Sequence, residues 1–101
     1  MNMQVLLRQA KKMQKEINEL EKKINEQGFE GPAGGGAVQV SIKGNLTVQS
    51  INISEELLKE DKEQLEELVI MAVNDAISTA SKEKDKQMNA VTGGVKMPGV
   101  F

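Results

Sequence analysis

A chain of 101 residues with neither cysteine nor histidine has room for one small domain and lacks most of the usual equipment of catalysis. Disulfides and thiolate metal sites are excluded, and the common general base, the serine triad and the commonest zinc ligand are missing. The formal net charge of −2 averages a basic beginning with an acidic middle, a polarity that points to a polyanionic partner.

The opening residues, Met1-Asn2-Met3-Gln4, lack the apolar core of a secretory signal, and no stretch reads as a membrane span. A cytoplasmic protein is expected. Over about residues 2–27 the spacing predicts a helix. Met3, Leu6, Ala10, Met13, Ile17, Leu20 and Ile24 alternate steps of three and four, a heptad seam with Leu7 at its edge. On the other side Arg8, Lys11, Lys12, Lys15, Lys22 and Lys23 project within about 120° of one another, interrupted by Glu19. A charged face is the ordinary solvated side of a helix. Here, however, residues 4–15 carry no acid at all, and cations near a helix N-terminus oppose the macrodipole. Neither solubility nor local stability asks for the cations of this N-terminal half, so the stripe of six is a candidate anion-contact surface. The helix is expected to stop near Gly28 at a C-terminal glycine signal.

Next comes Gly31-Pro32-Ala33-Gly34-Gly35-Gly36. A phosphate cradle would need Gly-Lys-Ser/Thr and then a helix whose N-terminus faces the phosphates. Gly36 is instead followed by Ala37 and a strand pattern, the reverse of the dinucleotide-binding order. The run therefore reads as a joint between the basic helix and a sheet. Val38, Val40 and Ile42 alternate with Gln39, Ser41 and Lys43, Gly44-Asn45 supplies a hairpin turn, and Leu46, Val48, Ile51 and Ile53 continue with a phase change near Ser50 that marks a bulge. A short edge strand around Phe29 completes a sheet so small that its apolar face needs a helix or a second subunit as cover.

Ser54 is an N-cap for a short turn through Leu58, and Asp61 with Gln64 forms a capping-box-like start for a second long helix over about residues 62–89. The acidic segment also holds Glu55 and Glu56, and its cluster Glu60, Asp61, Glu63, Glu66 and Glu67 reads as a solvated helix start that suits the dipole. Leu65, Leu68, Val69, Ala72, Ala76 and Ala80 line one side of the helix. Val69, Ile70, Met71 and Val73 make one turn apolar almost all round, more than a single packing surface requires. A homodimer interface is expected there. Lys82 and Lys86 share a side and extend the candidate basic surface, and residues 92–101, rich in helix breakers, are expected to form a mobile tail.

The order of a Met/Gln/Lys-rich first helix, Glu30-Gly31-Pro32-Ala33-Gly34-Gly35-Gly36 leading into Val38-Gln39-Val40, Asn74-Asp75-Ala76, Thr92-Gly93-Gly94 and Met97-Pro98-Gly99-Val100-Phe101 resembles the YbaB/EbfC family of bacterial nucleoid-associated proteins across nearly the whole chain. Pro32 departs from the serine of many relatives. The resemblance implies an α+β class, an α-β-β-β-α protomer with a small antiparallel sheet flanked by two long helices, residues 1–101 as a single domain, and a tight homodimer. It also implies duplex DNA as partner, a role at the nucleoid in chromosome organisation and gene expression, and no catalysis, cofactor, metal or small-molecule substrate. Only Arg8 in the basic stripe is suited to a bidentate guanine contact, and Phe29 and Phe101 are too few for base stacking. Phosphate contacts with weak sequence preference are thus expected. The alternative is a non-catalytic protein-interaction module that uses the heptad helix or the acidic segment 54–67.

Overall fold

The computed structural model describes residues 2–93. Helix α1 spans Met3–Glu26, strands β1, β2 and β3 span Gly28–Ala33, Val38–Lys43 and Val48–Ile53, and helix α2 spans Lys62–Thr92. This is the expected α-β-β-β-α order. Asn2 caps α1 by accepting the Gln4 N–H on its side-chain oxygen at 2.9 Å. At the other end the expected glycine stop is not used. Gln27 turns extended (φ −71°, ψ 140°) while its N–H still reaches the Ile24 carbonyl, and Gly28 is already the first residue of β1. A chain that must run straight from helix into strand has no use for a left-handed cap.

The sheet is antiparallel throughout, with β2 central. Phe29, Gly31 and Ala33 of β1 register with Ile42, Val40 and Val38 of β2, and all six face the core. The strand expected around Phe29 is therefore a full six residues. It tolerates Pro32 because an edge strand needs no donor there. This corrects the reading of the glycine run. Gly34, Gly35 and Gly36, at φ of 61°, 68° and 95°, turn β1 into β2, and the joint between helix and sheet is Gln27. Three successive left-handed residues suit glycine alone, since each side chain would bring its Cβ against the following carbonyl.

The β2–β3 hairpin has a three-residue connection, Gly44-Asn45-Leu46, closed by the Leu46 N–H on the Lys43 carbonyl (2.8 Å) and the Lys43 N–H on Thr47 (2.9 Å). Leu46, not a glycine, takes the left-handed position (φ 66°). Gly44 has a different task, because a β-carbon on it would overlap the backbone carbonyl of Ile24 near the end of α1. The expected bulge is present: Ser41 pairs with Ser50 but Ile42 with Val48, so Gln49 is the extra residue.

Between sheet and α2, Ser54 accepts the Leu57 N–H at 3.2 Å to start a 3-10 turn, and Asp61 accepts the Gln64 N–H at 2.7 Å to cap α2. The first half of α2 lies on β1 and β2 through Ala72, Ala76 and Ala80, which with Phe29, Val38, Val40, Ile42 and Leu57 form the main core. Small side chains let helix and sheet backbones approach closely. The second half leaves the sheet and packs on α1, where Met88 meets Ile17 and Ile24, flanked by Met13, Leu20 and Val91. Each such fully buried side chain contributes about 1.5–3 kcal/mol. That burial explains why α2 continues to Thr92, beyond the expected end at 89. Thr92 is buried, its hydroxyl donating to the Met88 carbonyl at 3.1 Å, so it is not part of a mobile tail. The rest of the expected tail, from Gly94 on, lies outside the described residues. Two helices clasped beyond a small sheet make an elongated molecule of 68 × 19 × 18 Å.

Candidate nucleic-acid interface

The 24 residues of α1 span about 36 Å, and α2 holds only their second half. The buried residues Ile17 and Ile24, with half-buried Met13 and Leu20, face α2. The basic stripe points about 150° away from that contact. Arg8, Lys11, Lys12, Lys15, Lys22 and Lys23 are all exposed. Among the described residues the ion pairs are Lys43–Glu26 at 3.2 Å and Lys62–Glu66 at 3.6 Å, so none of the six cations is committed to a carboxylate. Glu26, which would otherwise sit at the end of the stripe, is held by Lys43 of β2. Lys11, Lys15 and Lys22 line one shallow depression with Gln14, Asn18 and Glu19, in which the Gln14 amide donates to Asn18 at 3.0 Å.

Lys82 and Lys86 are exposed as well, but they do not join this surface within a protomer. The residues by which α2 grips α1 and its C-terminal junction are Met88, Val91 and Gln87, whose amide reaches Gln27 at 3.4 Å. Lys82 and Lys86 lie close to the opposite side of the helix. The clasped pair thus carries cations on both outer faces.

The four residues expected at a dimer interface separate into two pairs. Val69 and Val73 are half-buried and pack onto the protomer's own core, while Ile70 and Met71 are 59% and 58% exposed. A second uncovered surface is not evident from the sequence. Because α2 covers only β1 and β2, Val48 and Ile51 of β3, in register with Ile42 and Val40 and turned to the same side, are 46% and 43% exposed. The alternation in β3 signals an apolar face, but not that the helix stops short of it.

The acidic residues around the start of α2 are exposed. Among the described residues no group of three or more His, Cys, Asp or Glu is arranged to hold a metal, and no helix is long and apolar enough to cross a membrane.

Comparison with known proteins places these features in a family. The chain is 39% identical over 102 aligned residues to a nucleoid-associated protein of Clostridium novyi, covering 100% of this chain and 90% of that one. It is 40% identical over 101 residues to a nucleoid-associated protein of Alkaliphilus metalliredigens, covering 99% and 89%. The crystal structure of an uncharacterized protein from Helicobacter pylori superposes with a TM-score of 0.75 at 27% identity, covering 92% of this chain and 99% of that one. A sequence model of the YbaB/EbfC DNA-binding family matches residues 1–95, and the chain belongs to that family.

Proposed function

We propose that this nucleoid-associated protein binds duplex DNA as a homodimer, mainly through backbone phosphates, and so affects nucleoid organisation and gene expression without catalysing a reaction. The observation that carries the reading is the exposed basic face of α1, with six cations and no carboxylate partner among the described residues. Lysine and arginine side chains set against phosphates release condensed counterions, and this entropic gain supplies affinity with little regard to sequence. With about three or four cations engaged per subunit, the logarithm of the binding constant should fall with log salt at a slope of roughly −5 to −7 for a dimer. Arg8 is the one side chain of the stripe suited to a bidentate guanine contact, so sequence preference is weak.

The homodimer is supported by the apolar surface the protomer leaves open, Val48 and Ile51 on β3 and Ile70 and Met71 on α2. A three-stranded sheet with one strand uncovered buries its face by meeting another copy. In that arrangement the two helical pairs project as basic arms. The test is a mobility shift of random duplex DNA at low salt with the wild type and with Lys11, Lys12 and Lys15 changed together to glutamate. Wild-type binding that is lost in the variant supports the reading. Equal affinity removes the site, and no wild-type binding removes the function.

A further inference from the structure

The heptad seam of α1 is longer than the helix that covers it. Residues 3–12 are all exposed, with Met3 and Leu7 at 68% and 53%, whereas from Met13 onward the seam is packed on Met88 and Val91. A protruding helix of about ten residues is marginal in water without apolar contacts. The seam keeps its steps of three and four across the boundary, a narrow stripe of the kind that takes another helix. In heptad terms Met3 and Ala10 are a positions, and Leu6 and Met13 are d positions.

The flanking positions identify that helix. Between paired helices, charges at e and g set the choice of partner. Beside the uncovered seam the e positions are Leu7 and Gln14 and the g position is Gln9, none of them charged, while Arg8, Lys11, Lys12 and Lys15 fall at the outward b, c and f positions. An acidic helix would find no cation there, and a second copy would meet no like charge. We propose that the uncovered stripe docks on the same stripe of a second copy, with the two helices antiparallel. Antiparallel overlap superposes only the uncovered turns and keeps the two sheets apart. It sets Leu6 against Ala10 of the second copy, a large side chain facing a small one. It also brings Leu7 against its own counterpart across the twofold axis, with Gln9 facing Gln9 on the other flank.

Leu6 stands about 32 Å along α1 from the junction at Gln27, far from Ile51 and Met71 on the sheet and the first half of α2. The contact itself therefore rests on neither the duplex nor the dimer of the proposed function; only the joining of dimers by it does. Two separate twofold contacts on each chain string dimers together rather than closing at two copies. A stripe this short buries well under about 1,000 Å², so the contact is weak between free molecules and gains where many arms are held side by side. The cations at b, c and f stay free for a polyanion meanwhile.

The absence of native cysteine permits a crosslinking test in the full chain. Gln9→Cys places a thiol beside the twofold axis, and Gln4→Cys makes the same exposed change at an outward b position. Mildly oxidised at equal concentration and run on a denaturing gel, Gln9→Cys should give the product of twice the chain mass at least about tenfold faster than Gln4→Cys. Adding Leu6→Glu should abolish that preference. The preference should survive the addition of Ile51→Glu and Met71→Glu, which disrupt the proposed dimer, so failure of that dimer and failure of this contact are read separately. Equal rates for the two thiols overturn the proposal and leave the stripe to another occupant. A preference untouched by Leu6→Glu overturns it as well. So does one that disappears with Ile51→Glu and Met71→Glu, because the two arms would then belong to a single dimer.

Discussion

Gly31 of β1 lies so close to Ala76 of α2 that a β-carbon on it would overlap the Ala76 amide nitrogen and the Ala72 carbonyl oxygen. The obstacle is backbone on both sides, so no rotamer change relieves it. Gly31→Ala should therefore destabilise the protomer by about 3 kcal/mol, the upper range for overpacking a core. Gly35→Ala should cost only about 1 kcal/mol, because Gly35 faces open space and loses only its left-handed freedom (φ 68°). Urea unfolding of both variants checks the order, and a Gly31→Ala protein as stable as wild type would show that α2 does not sit against β1 in this way.

The hairpin supplies a second contrast. Leu46 occupies the left-handed position that glycine or asparagine prefers, so Leu46→Gly should raise stability by about 0.5–1 kcal/mol. A β-carbon on Gly44, two residues earlier, would overlap the Ile24 carbonyl, so Gly44→Ala should lower stability by about 2 kcal/mol. Thermal unfolding reads the opposite signs directly. A gain from Gly44→Ala would mean that α1 does not end where the structure has it.

Met88 is the buried link between the two helices. Met88→Ala should cost about 2–3 kcal/mol and speed amide exchange in residues 13–24 without affecting Val38, Val40 or Ile42. Exchange rising equally in the sheet would indicate that arm and sheet unfold as one unit.

These contrasts also mark how far the sequence can be read. Both helices, the β2–β3 hairpin and the bulge follow from local pattern, because period, caps and turn residues act over a few positions. The extent of β1 does not. Gly31 and Pro32 argue against a strand locally, and what overrides them is tertiary: α2 needs a residue without a side chain at position 31, and an edge strand accepts proline at 32. Local pattern alone therefore misplaces the glycine run as the arm's joint. The basic face of α1 is legible because it depends on helical period alone. The separation of Lys82 and Lys86 from it, and the open side of β3, depend on which residues α2 commits to α1 and which to the sheet, and no local signal records that choice.

The proposed dimer makes its own demand. Ile51→Glu and Met71→Glu place charge on surfaces that the protomer leaves open, so each should weaken self-association at least about tenfold, roughly 1.4 kcal/mol, with the protomer's fold intact by circular dichroism. Sedimentation equilibrium decides the matter. Association unchanged in both variants would move the interface elsewhere.

If the exposed cations of α1 hold the phosphates, the salt dependence of duplex binding should differ between wild type and a variant with Lys11, Lys12 and Lys15 changed together to glutamine. The wild-type slope should be roughly −5 to −7, and the variant's should be shallower by about 0.9 for each phosphate contact removed. A variant that keeps both the wild-type affinity and the wild-type slope would contradict the account.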